Sequence, residues 1–169
     1  MAAARNVRKA FTLSIDGTGY AGNIGAFTAP VLELKTEDFQ AGGMFAPIKV
    51  TMGHNPLDTE MTVLCDDAAI ATMFTVAEGR QYPFTAREAL ESQDGTVTSV
   101  VHNMRGKVTK IDRGESKPGA MSEIKLSVSL TYYKLTHGGV VVQELDIVNM
   151  IAIQGGVDVL AGLRGALGI

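Results

Sequence analysis

The chain has 169 residues, 46% of them hydrophobic and 20% charged, with 15 basic residues against 18 acidic ones and a net charge of −3. That balance excludes a disordered tail, and it excludes a strongly basic nucleic-acid binder, because a protein that neutralises phosphates carries an excess of Lys and Arg. The length fits one domain, residues 1–169, able to bury a core without staples, and a lone Cys65 excludes an internal disulfide, which suits a reducing or redox-indifferent compartment. Two features are unusual for a small soluble domain: 19 glycines and a mean hydropathy of +0.14. A membrane is one explanation, but no apolar run approaches the roughly 20 residues a spanning helix needs. Arg5, Arg8 and Lys9 are followed by alternation and not by an apolar block, so no secretory signal is expected. Coverage of apolar surface by partner subunits is the other explanation.

Period-two alternation dominates and argues for strands with one buried face. Phe11, Leu13 and Ile15 open the first strand, broken by the turn-forming Asp16-Gly17-Thr18-Gly19, and a second strand is predicted from Tyr20 to Phe27. Leu32 and Leu34 alternate with Glu33 and Lys35 before a loop from Glu37 to Pro47 that contains Gly42-Gly43. Ile48 to Met52 and Thr59 to Cys65 read as two further strands. A helix is predicted where Asp66-Asp67 precedes Ala68, Ala69, Ile70, Ala71, Met73, Phe74 and Ala77, with Gly79 as its stop.

The strongest strands come next. Thr96 to Ile111 places Val100, Met104 and Val108 on one parity, with Ser99, Asn103, Arg105 and Lys107 on the other. A polar turn, Asp112 to Gly119, leads to Ser122–Leu135, where Ile124, Leu126, Val128, Leu130 and Tyr132 face one side and Lys125, Ser127, Ser129, Thr131 and Tyr133 the other. Gly138-Gly139 then signals a tight hairpin, because both central positions of a type I′ turn need positive φ, and Val140 to Leu145 returns. Strands of about 14 residues extend roughly 45 Å, past the usual length for a domain of this size. A weaker helix is predicted over Val157–Leu167, weakened by Gly162 and Gly165. The expected fold class is mainly β, one domain with a clear helix after Asp67 and a marginal one at the C-terminal end.

No arrangement of residues asks for catalysis. Gly17-Thr18-Gly19-Tyr20-Ala21-Gly22 matches a dinucleotide fingerprint, but a β-prone segment follows where a phosphate-binding helix must start, so a hairpin turn is the better reading. His54, His102 and His137 stand singly, without metal-ligand spacing. Cys65 sits beside Asp66-Asp67, which raises a thiol pKa and makes a poor nucleophile. No catalytic residue, metal site or cofactor is expected. Charge is uneven: Val50 to Gly79 lacks any Lys or Arg but holds Asp58, Glu60, Asp66, Asp67 and Glu78, whereas Arg105 to Lys117 is mainly basic. Solvated faces explain this, as do opposite-sign patches meeting across a subunit contact.

At the level of ordered motifs the chain resembles the major tail tube proteins of contractile-tailed bacteriophages and the tube proteins of R-type pyocins. The resemblance rests on Ile15-Asp16-Gly17, the run Lys35 to Met44 with Ala46-Pro47, Met52-Gly53 and Met104-Arg105-Gly106, then on Thr131 to Leu135, Glu144 to Asn149, Gly156-Val157-Asp158 and Leu167-Gly168-Ile169. It implies an antiparallel β-barrel or sandwich with one flanking helix and an extended inter-subunit loop, assembled as hexameric rings stacked helically into a hollow tube inside a contractile sheath, with long strands lent to a barrel that lines the lumen. It implies as partners the chain itself, the tail sheath protein, a baseplate or tube initiator and a tape measure protein in the lumen, with DNA or ions only in passage, in a virion tail or pyocin particle assembled in the host bacterial cytoplasm. The secreted tube of a type VI secretion system and, in another class, a small β-barrel ligand-binding module are the alternatives. The resemblance identifies Glu37, Asp38, Phe39, Gln40, Ala41, Gly42, Gly43, Met44 and Phe45 as a self-assembly loop, whose Phe39, Met44 and Phe45 a monomer would expose. The polar side of the long hairpin offers Ser127, Ser129 and Thr131 for a wet lumen wall, but also Arg105, Lys107 and Lys125, which would retard DNA.

Overall fold

The computed structural model describes residues 4–119 and 121–169. Among the described residues twelve strands and two short helices follow one another as β1 (Val7–Ile15), β2 (Thr18–Gly19), β3 (Ile24–Thr28), β4 (Leu34–Phe39), β5 (Ile48–His54), β6 (Leu57–Val63), α1 (Ala68–Thr72), β7 (Tyr82–Glu91), β8 (Val97–Asp112), β9 (Ile124–His137), β10 (Val140–Asp146), β11 (Ile151–Gln154), β12 (Val157–Asp158) and α2 (Ala161–Leu167). Ten strands form one antiparallel sheet in the order β12-β11-β10-β9-β8-β7-β1-β2, with β3 on β6 and β6 on β9. Strands β4 and β5 form a separate two-stranded sheet.

Strand β9 organises the whole. Along one edge it pairs with β8; along the other, Ile124–Leu130 pair with β6 and Tyr132–His137 with β10. The core draws Leu13 and Ile15 from β1, Leu57, Met61 and Val63 from β6, Phe84 from β7, Val108 from β8 and Leu126 and Val128 from β9, all at most 1% exposed. Strands β1 and β6, separated in the ladder by β7, β8 and β9, thus share one interior, so the sheet curls upon itself, as twisted antiparallel sheets do.

The long strands match their alternation as far as a bulge. Gly106 pairs with Leu130 and Arg105 with Tyr132, leaving Thr131 without an opposite residue. The extra residue reverses parity, so Tyr133 and not Tyr132 joins the core, at 2% exposure. Gly106 is required at this bend, because a Cβ there would meet the Ser129 carbonyl oxygen and come within 2.9 Å of Leu130 Cα. The Gly138-Gly139 turn has φ of 57° and 82°, as a type I′ hairpin demands.

Other elements depart from expectation. The segment predicted as a strand from Tyr20 begins at Ile24, because Gly22 turns at φ 84° while Tyr20 is buried and donates its hydroxyl to Asp67 Oδ2 at 2.9 Å. The predicted helix after Asp67 is five residues long. Asp67 caps it by accepting from the Ala69 N–H at 2.9 Å, and Ile70 and Met73 reach the core, but Phe74 and Val76 stay exposed. Beyond Met73 the Thr75 hydroxyl accepts the Ala77 N–H, offering the backbone a turn in place of a helix. The C-terminal helix starts at Ala161 and not at Val157, because Gly155 and Gly156, with φ of 57° and 87°, form a hairpin that pairs Val157–Asp158 as β12 with β11.

Candidate functional site

The segment expected as a loop from Glu37 to Pro47 is instead the end of a projecting β-hairpin. Glu37, Asp38 and Phe39 are the last residues of β4, and the turn proper is Gln40 to Pro47. The correction has a local cause, since Asp38 pairs with Lys49 and Phe39 with Ile48, continuing the ladder four residues past Lys35. The tip is closed by Met44 N–H donating to the Ala41 carbonyl at 3.1 Å, with Gly43 at φ 91°. At the base the Asn55 N–H and side-chain amide each donate to Glu33, at 2.9 Å.

Opposed residues on antiparallel strands share a face, so Phe39 and Ile48 lie with Glu37 and Val50, while Asp38 and Lys49 lie with Thr36 and Thr51 on the other side. Met52 bulges out of the ladder between the Lys35 and Thr36 pairs. One face of the hairpin is therefore largely apolar and exposed: Phe39 is 54% exposed, Ile48 53% and Phe45, at the tip, 104%. An isolated two-stranded hairpin is marginal in water, and apolar residues of this size on both its face and tip mark a contact surface.

At the hairpin base an apolar groove of about 540 Å³ opens between Leu34, Thr51 and His54 on one side and β10 and β11 on the other, lined also by Leu57, Leu145, Ile147, Val159 and Leu160. Sequence reasoning missed it, because its walls come from segments about a hundred residues apart and only the sheet order joins them.

The structure brings Arg105, Lys107, Lys125, Ser127, Ser129 and Thr131 to the surface opposite the core. Cross-strand rows run Lys107–Ser129–Asp58, Lys110–Ser127–Glu60 and Asp112–Lys125–Thr62 through β8, β9 and β6. The bases are balanced locally: Lys107 lies 2.8 Å from Glu78 and Lys125 3.5 Å from Glu123, and Arg105 stacks over the Tyr132 ring at 5.5 Å. Thr131, freed by the bulge, donates its hydroxyl to Gln81 Oε1 at 2.8 Å. The acidic and basic stretches also meet within the chain, through Lys107–Glu78 and Arg113–Asp66 at 3.8 Å. Asp58 and Glu60 have no cationic partner within 4 Å among the described residues.

The remaining polar groups have structural work. Glu88, 7% exposed, accepts from Arg8 Nε at 3.0 Å and lies 4.0 Å from His102 Nε2, while His102 Nδ1 and the Tyr133 hydroxyl share a hydrogen bond of 3.0 Å. Burial holds His102 below the ordinary imidazole value against the pull of Glu88. Burial and a hydrogen bond to Glu144 push Tyr132 up to about 12. Burial, with Asp67 and Asp66 alongside, also raises the Cys65 thiol, the wrong direction for a nucleophile. The Gly17 segment is a hairpin turn, pairing Ile15 with Thr18. His54 ends β5 and His137 ends β9, and no cluster of His, Cys, Asp or Glu suited to a metal occurs among the described residues.

Among solved structures, the fold is similar to chains of the PVC extracellular contractile injection system, in its sheath-tube complex (TM-score 0.57, 8% identity, 75% of this chain and 87% of that one) and its sheath/tube terminator (TM-score 0.57, 8% identity, 75% and 92%). A curled antiparallel sheet that carries a hairpin with exposed Phe39, Phe45 and Ile48 is the build of a protein that works by contact with other chains. Residues 5–168 match the family described as "Phage tail tube protein FII". The major tail tube protein of Serratia phage KSP20 is 33% identical over 144 residues, covering 83% of this chain and 82% of that protein. The tail tube protein of Escherichia phage P2 is 31% identical over 165 residues, covering 95% and 96%. The chain belongs to the phage tail tube protein family.

Proposed function

We propose that the chain, acting as a single domain, is the repeating subunit of the inner tube of a contractile particle, forming hexameric rings that stack helically into a hollow tube. One observation carries this: the β4–β5 hairpin stands off the main sheet with its apolar face and tip in solvent. A ring contact is heterologous and closes, whereas ring-on-ring contact is heterologous and open, so one projecting element engaging the next copy builds a filament. The self-assembly residues are Glu37 to Phe45 together with their β5 partners Ile48 and Val50.

The polar face of β6, β9 and β8 lines the lumen. Support comes from its serines and from the pairing of its lysines with acids, which leaves DNA or ions a wall without a net basic ring. Outside the tube the partners are the sheath protein and a baseplate initiator, and inside it a tape measure protein. Deleting residues 38–45 tests the reading. The expected product is a folded monomer, seen by circular dichroism and light scattering, that forms no tubes in negative-stain micrographs; tubes of normal length from this variant would overturn it.

A further inference from the structure

We infer that the groove at the hairpin base is the receptor for the hairpin tip of a second copy of this chain, an inference that rests on the reading of the hairpin as the polymerising element. The tip cannot reach the groove of its own chain. Leu34 and His54 wall the groove, and they form the base pair of the same ladder that carries Phe39 and Ile48 at its far end. The groove wall climbs the hairpin as far as Thr51, paired with Thr36, so three strand residues at about 3.4 Å each set Phe39 and Ile48 roughly 10 Å beyond it, with Phe45 further out, and the hydrogen-bonded ladder holds that separation.

Each copy therefore offers one apolar knob, centred on Phe45, and one apolar hollow that its own knob leaves empty. The chemistry agrees: the hollow, of about 540 Å³, is walled mainly by aliphatic side chains, and Ile147 and Val159 in its wall are 48% and 54% exposed. Knob and hollow sit on different surfaces, so the contact is head-to-tail and repeats from copy to copy without saturating.

The test is disulfide trapping in a Cys65→Ala chain carrying Phe45→Cys and Val159→Cys, since such a bond forms only when Cα atoms come within about 7 Å. Oxidised tubes are expected to give a ladder of dimers, trimers and longer chains on a non-reducing gel, and either cysteine alone is expected to give no ladder. Tubes without a ladder would overturn the groove as receptor while leaving the hairpin's role intact, which only tubes from the 38–45 deletion would overturn. Should the double-cysteine chain form no tubes, Ile147→Asp decides alone. The expected result is a monomer with unchanged melting that fails to assemble, and tubes from Ile147→Asp would refute the inference.

Discussion

Replacing Phe45 by serine separates folding from assembly. In the isolated subunit the ring is 104% exposed, so Phe45→Ser removes no buried contact, and the monomer's stability is expected to change by no more than about 0.5 kcal/mol. In the proposed contact the same ring passes from water into the apolar hollow of the next copy, worth about 1.5–3 kcal/mol for complete burial. Every subunit added to a growing tube makes this contact once, so the critical concentration should rise by about tenfold to about a hundredfold. Sedimentation of polymer across a concentration series measures that quantity, and thermal melting of the dilute monomer gives the control. A critical concentration within about twofold of the parent, with unchanged melting, would refute the argument, because it would leave Phe45 as wet in the tube as in the monomer.

Three further changes probe the framework. Gly106→Ala drives a methyl group into the backbone of Ser129 and Leu130 and is expected to cost about 1–3 kcal/mol, a fall of roughly 2–12 °C in melting temperature by calorimetry. His102 titrates below its ordinary 6.5 in the folded chain, so on acidification through 6.5 the unfolded chain takes up protons first and stability falls; urea unfolding across that window should show the loss, and His102→Gln should flatten it. Asp158 accepts the Leu160 N–H at 3.0 Å and binds Arg164, which holds its carboxyl below the usual range. Asp158→Ala should loosen α2 by about 1 kcal/mol, read as about fivefold faster amide exchange over residues 161–167.

The parts of the fold that could be read along the chain are those governed by neighbours in sequence. Alternation in Ile124 to Leu130 and paired glycines at 138 and 139 act within a few residues, and both agree with the structure. What could not be read depends on a partner strand. Tyr132 and Tyr133 exchange faces because Gly106, on another strand, lets two residues oppose one, and nothing in the local pattern of β9 announces that. The helix after Asp67 stops early because the core receives only Ile70 and Met73, a limit set by β-strands and not by helical periodicity. For the candidate site the balance is similar: Phe39, Met44 and Phe45 advertise a contact by composition, but that Glu37 to Phe39 belong to a strand needed the register with Ile48 to Val50. The groove needed the whole sheet order.

Strand β9 also has a mechanical consequence. Its lower half is bonded to β6 and its upper half to β10, with β8 running beside both. A push along this strand is carried in shear by two ladders at once, and separating the β6 side from the β10 side means tearing hydrogen bonds from a rod that is continuous between them. The Thr131 bulge lies at the handover between the two flanks. Thrust entering a subunit at one end thus has an unbroken backbone path to the other, with the bulge at the handover braced by Gly106 packed against Ser129 and Leu130.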